Sequence, residues 1–154
     1  MAGKDGLNRQ ARELDRLLTA LIKRYQFRDR SQICCGDVTV SQCYVMKTLG
    51  EHGSLPMTRL AELMCLRISS LTRVVDQLVR NKHALRRRLA SDRRVCIVEL
   101  TPGGRAVLRQ MEGAIRRWER EVLEKLPPTD REGLLRGLAK LNTAMEERMC
   151  CSTT

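Results

Sequence analysis

A chain of 154 residues that is 42% hydrophobic and 31% charged is one globular domain, and an aromatic content of 3% leaves its core to aliphatic side chains and excludes a single-strand binder that stacks bases on aromatic platforms. The formal net charge of +11 marks a polyanion as partner. No apolar run approaches the roughly 20 residues of a transmembrane helix and the N-terminus lacks a signal peptide's apolar core, so the expected location is the cytoplasm, without a membrane partner and with seven reduced cysteines.

Residues 1–6 read as a loose tail. A first helix is expected over 7–28, with Leu14, Leu17, Leu18, Leu21, Ile22 and Tyr25 on one stripe. A connection ends in Gly36-Asp37. Thr39 with Gln42 forms a capping box, which starts a second helix running to Leu49; 50–53 is its exit turn. Pro56 suits the first position of a third helix, on which Leu60, Leu63 and Met64 share a face. A fourth helix places Leu71, Val74, Val75, Leu78 and Val79 together. The link between these two helices, 65–68, has room only for a tight turn. Together they make a helix-turn-helix whose second member can enter a major groove.

The polar side of that helix suits the task. Ser69, Ser70, Thr72 and Arg73 stand near its N-terminus, and Gln77 and Arg80 extend the same side. Hydroxyls and guanidinium groups read base edges and hold phosphates. Leu85-Arg86-Arg87-Arg88 leads through Ala90-Ser91-Asp92-Arg93-Arg94 into a strand over 95–100, a wing with a basic tip. Arg93 and Arg94 would lie on the backbone or in the minor groove. Asp92, which phosphate would repel, reads as a carboxylate that pins the wing, with Arg73 or Arg94 as its partner.

Thr101 caps a long fifth helix in which Val107, Met111, Ala114 or Ile115, Trp118, Val122 and Leu126 recur at helix-packing spacing. Pro127-Pro128 ends it. Thr129 to Glu132 reads as a second capping box, opening a sixth helix with Leu134, Leu135, Leu138, Leu141, Met145 and Met149 on its apolar face. The stripes on the first, fifth and sixth helices exceed what the small winged part can cover, which points to a homodimer joined through them. Two recognition helices would then meet two half-sites about 10 bp, or a multiple of it, apart.

The run LAELMCL…SSLTRVVDQLVRNKHALRRR…SDRRVCIVELTPGGR resembles the winged helix of the MarR (multiple antibiotic resistance regulator) family, most specifically in Asp92-Arg93-Arg94 and in Leu100-Thr101-Pro102-Gly103-Gly104-Arg105. Val38-Thr39-Val40-Ser41-Gln42 with Leu49 fits the family's preceding helix, and the resemblance covers nearly the whole chain. It implies a mainly α fold with a small β-wing: one domain over 1–154, with a winged helix-turn-helix over 38–100 and dimerisation helices over 7–28 and 101–150. It also implies a homodimeric transcription regulator, a repressor on a palindromic double-stranded DNA operator. Two places depart from the pattern. His83-Ala84 replaces a Gly-containing turn, and Arg67 stands where a small N-cap is usual.

The cysteines suggest an effector. Cys34-Cys35-Gly36 precedes the second helix and Cys43 lies in its first turns. Three thiolates converging there would take arsenite or antimonite, or another thiophilic ion such as mercury, cadmium or copper(I). Oxidative pairing of Cys34 or Cys35 with Cys43 is the redox alternative, and plain packing of small apolar side chains is the third. Cys150-Cys151 forms a second vicinal pair in a frayed tail, whereas Cys65 and Cys96 read as packing residues. No Ser/His/Asp set or phosphate-binding Gly loop is visible, so an enzyme is not expected. Three functions therefore compete: a regulator released through thiols, one released by a small aromatic acid in a pocket near the first, second and fifth helices, and a non-regulatory architectural DNA binder.

Overall fold

The computed structural model describes residues 2–28, 38–89, 92 and 94–150. Six helices and three short strands follow in the order α1 (Ala2–Arg28), α2 (Val40–His52), β1 (Leu55–Pro56), α3 (Met57–Leu63), α4 (Ile68–Arg80), β2 (Ala84–Arg88), β3 (Cys96–Leu100), α5 (Pro102–Glu124) and α6 (Pro128–Cys150). The chain divides into two compact units, Met1–Ile115 and Arg116–Thr154, the boundary falling within α5.

The first unit holds the core. Val45, Met46 and Leu49 of α2 pack with Leu60 and Ala61 of α3, Leu71, Val75 and Leu78 of α4, Val98 and Leu100 of β3, and Leu108 and Met111 of α5. All are aliphatic or methionine, as the scarcity of aromatics requires. The sheet is antiparallel in the order β1-β3-β2, with Leu55 opposite Val98, and Ala84 and Arg88 opposite Leu100 and Cys96.

The mainly α fold with a small wing is as expected, and four local expectations are corrected. Residues 2–6 are helical despite Gly3 and Gly6, with no proline to break the first helix and with Asp5 in its first turn. The second helix runs on through 50–52 and stops at Gly53, whose φ of 77° only glycine adopts cheaply and whose N–H reaches the Leu49 carbonyl at 3.0 Å. Pro56 is the N-cap of α3 rather than its first residue, and with Leu55 it supplies a third strand to the sheet. The expected second capping box does not form. Pro128, with its fixed φ, opens α6 two residues earlier than a Thr129 N-cap would, and the Glu132 carboxylate takes Arg136 at 3.3 Å. The first box is present as expected: the Thr39 hydroxyl accepts from the Gln42 N–H, and the Gln42 side chain accepts from the Thr39 N–H at 2.8 Å.

Candidate nucleic-acid interface

The recognition helix α4 is strongly two-sided. Leu71, Val75 and Leu78 are fully buried, while Ser69, Ser70, Arg73 and Arg80 are exposed and Thr72 and Gln77 half-buried. Val79, expected on the apolar face, is 36% exposed; it lies at the edge of the stripe, past the reach of the core. The turn before α4 is tight because Cys65 takes a φ of 50°. That conformation turns its side chain to solvent, so Cys65 is exposed and is not the packing residue expected. Cys96 is half-buried in β3. Arg67 occupies the N-cap in an extended conformation without a side-chain cap bond.

Two groups of the polar side are already engaged with each other. The Gln77 amide donates to Asn81 Oδ1 at 3.0 Å and accepts from Arg80 Nε at 3.2 Å. Thr72 donates its hydroxyl to the Ile68 carbonyl at 2.8 Å. Ser69, Ser70 and Arg73 therefore form the outward set at the leading end of the helix.

The wing is fastened to this helix by a contact that the sequence reading missed. Arg86, expected as part of the basic run, sends one guanidinium nitrogen to the Asp76 carboxylate and another to the Thr72 carbonyl at 3.3 Å. Strand alternation explains the choice: Ala84 and Arg86 face inwards, Leu85 and Arg87 outwards. Arg87 pairs instead with Glu99 across the sheet at 3.3 Å. The available signal was Asp76 itself, since an acid on a helix meant for DNA calls for a cation beside it.

At the wing tip the Asp92 carboxylate accepts from the Arg94 backbone N–H at 2.9 Å, and the Asp92 carbonyl accepts from Val95 N–H at 3.0 Å. The Asp92 contact is with the main chain of Arg94 rather than with its guanidinium, and the Arg94 residue stays exposed. Arg93 lies outside the described residues.

The turn leaving α4 is tied to α5. Lys82 takes the left-handed conformation, φ 60°, that a glycine would otherwise fill. Thr101 bridges: its hydroxyl donates to the Lys82 carbonyl at 2.7 Å and accepts from Gly104 N–H at 2.9 Å, and its own N–H reaches the His83 carbonyl at 3.0 Å. Gly104 is buried against that carbonyl, with no room for a side chain.

Away from the polar face, α1 and α2 border an open groove of about 500 Å3 lined by Leu21, Ile22, Tyr25, Gln26, Val40 and Tyr44. Arg28, only 6% exposed, stacks its guanidinium 4.3 Å from the centre of the Tyr25 ring. Cys43 is 5% exposed in the first turns of α2. Cys34, Cys35, Cys151 and the side chain of Cys150 lie outside the described residues, among which no three His, Cys, Asp or Glu side chains stand together as a metal site. No helix among the described residues is long and apolar enough to cross a membrane.

The MarR family model matches residues 38–96. The uncharacterized HTH-type transcriptional regulator YfiV of Bacillus subtilis is 28% identical over 110 residues, 71% of this chain and 69% of that protein. The crystal structure of RV1404 from Mycobacterium tuberculosis is 30% identical and superposes with a TM-score of 0.72 over 85% of this chain and 90% of its own. A mutant MarR from E. coli, complexed with operator DNA, reaches a TM-score of 0.72 over 84% of this chain and 93% of its own at 22% identity, a likeness of fold.

Proposed function

The chain belongs to the MarR family of transcriptional regulators, and from that premise we propose that it binds a palindromic duplex operator as a homodimer and represses transcription from it. It is a regulator and not an enzyme. The observation that carries the reading is the recognition helix with exposed Ser69, Ser70 and Arg73, locked through Asp76 and Arg86 to a wing with Arg94 at its tip. Such a unit places hydroxyls and a guanidinium at base edges and cations along the adjoining phosphates. Arg93 beside Arg94 would add to the cationic tip, and Arg80, held by Gln77, suits a phosphate more than a base.

Dimerisation is supported by apolar side chains that nothing covers: Leu14, Leu17, Leu21 and Ile22 on α1, and Leu134, Leu135, Leu138 and Met145 on α6. A soluble monomer rarely leaves stripes of this kind in water. A symmetric pair bound over a promoter occludes it, which is the simplest route to repression.

The release signal has two readings. The groove between α1 and α2 favours a small aromatic acid, because its lining is apolar with two tyrosines and a buried guanidinium stands beside one of them. The thiol reading, with arsenite, antimonite or an oxidant acting on Cys34, Cys35 and Cys43, rests on the sequence. Either signal works only by binding the DNA-incompetent geometry better than the competent one.

Selection of duplexes from a random pool, followed by gel shifts and sedimentation, tests the reading. A short palindrome bound by two chains is expected; a monomer that grips no duplex at low ionic strength overturns it, and binding without sequence preference returns the chain to an architectural role. Titrating aromatic acids and arsenite into the complex, with Cys43→Ser alongside, separates the two signals.

A further inference from the structure

The first residue of the recognition helix is apolar and uncovered. Ile68 is 50% exposed, Leu66 just before it is 37% exposed, and neither belongs to the core. Their neighbours Arg67, Ser69, Ser70 and Arg73 are all exposed and polar. Thr72 stands one turn further on, on the same line of the helix as Ile68. Its hydroxyl donates back to the Ile68 carbonyl at 2.8 Å, which leaves the methyl as the part of the side chain without a hydrogen bond. The same turn is steadied by Arg86 on the Thr72 carbonyl. The leading edge of α4 thus carries a fixed apolar strip inside a cationic, hydroxyl-rich frame.

In the major groove, the one apolar group on a base edge is the C5 methyl of thymine. We propose that Ile68, with the Thr72 methyl beside it, is a specificity-determining residue that reads a thymine methyl in each operator half-site. The cationic frame favours DNA over a second copy of the chain as the occupant, since two such frames facing each other would repel. The inference rests on the reading of α4 as the DNA-entering helix.

Uracil replaces thymine without altering base pairing and removes only the methyl, so it isolates the contact. Full-length protein is used to select a consensus duplex, and each thymine in it is then replaced in turn by uracil. At one thymine position per half-site the dissociation constant is expected to rise about fourfold, the worth of one buried methyl. Ile68→Ala should bind the thymine and uracil duplexes alike, whereas Ile68→Val, which keeps branched methyls, should retain the penalty. Uniform indifference of the wild-type protein to uracil overturns the proposal, as does an undiminished penalty in Ile68→Ala or a consensus without a fixed thymine. In those outcomes DNA binding itself stands. Failure to enrich any duplex overturns both readings, and a change of oligomeric state in Ile68→Ala assigns the strip to a second copy and overturns this one alone.

Discussion

Arg86 and Arg94 sit in one basic run and do different work. Arg86 is folded onto α4 against Asp76 and the Thr72 carbonyl, while Arg94 keeps only its backbone N–H on Asp92. Arg94→Ala should therefore weaken binding to all sequences and lower the slope of log affinity against log salt by about one unit. Arg86→Ala should weaken operator binding with little change in that slope, because what it loses is the placement of the wing. Its cost in stability is at most about 1 kcal/mol, both partners being partly hydrated. Salt titrations of the two variants decide; equal slopes would merge the roles. Lys82 supplies a second test. A non-glycine residue at φ 60° carries a strain that glycine does not, so Lys82→Gly should stabilise the fold by up to about 1 kcal/mol, read as a higher urea midpoint.

At the scale of elements, most of the fold was legible because its signals are local. The Thr39–Gln42 box, the paired stripes of α3 and α4, and Thr101 ahead of α5 each announce a boundary within four residues. What was not legible depends on partners distant in the chain. β1 is two residues long and includes a proline, so no alternation marks it; it is a strand only because β3 offers Leu55 an edge. Leu108 falls outside the periodic α5 stripe, yet it is buried where Gly50 lets it approach α2. The site divides the same way. Ser69, Ser70 and Arg73 follow from helix periodicity, whereas Asp76 and Arg86 meet across ten residues and a turn. The glycines give a graded prediction. A β-carbon at Gly104 would lie 1.9 Å from the His83 carbonyl oxygen, which is backbone, while one at Gly50 would meet the flexible tip of Leu108 at 2.4 Å. Gly104→Ala should cost about 2–3 kcal/mol and Gly50→Ala clearly less, as chemical denaturation would show; equal losses would mean that the α4–α5 turn yields as easily as a side chain.

For the whole molecule, charge and apolar surface pull in opposite directions. A net charge of +11 keeps chains apart in low salt, whereas the exposed leucines of α1 and α6 are the surface that the proposed dimer would bury. Leu138→Asp places a charge within the α6 face and should shift the dimer to monomer in sedimentation, with affinity for the full palindrome falling at least about tenfold and half-site affinity little changed. A variant that stays dimeric would locate the interface elsewhere.

The Thr101 bridge ties the turn after α4 to the start of α5. With its hydroxyl on the Lys82 carbonyl and its N–H on that of His83, the turn after α4 and the beginning of α5 are joined at one corner by two hydrogen bonds. A tilt of the leading end of α5 would carry the end of α4 with it through those bonds, so in the proposed dimer an inducer acting on α5 would pull the two reading heads out of phase with the groove while leaving each one intact.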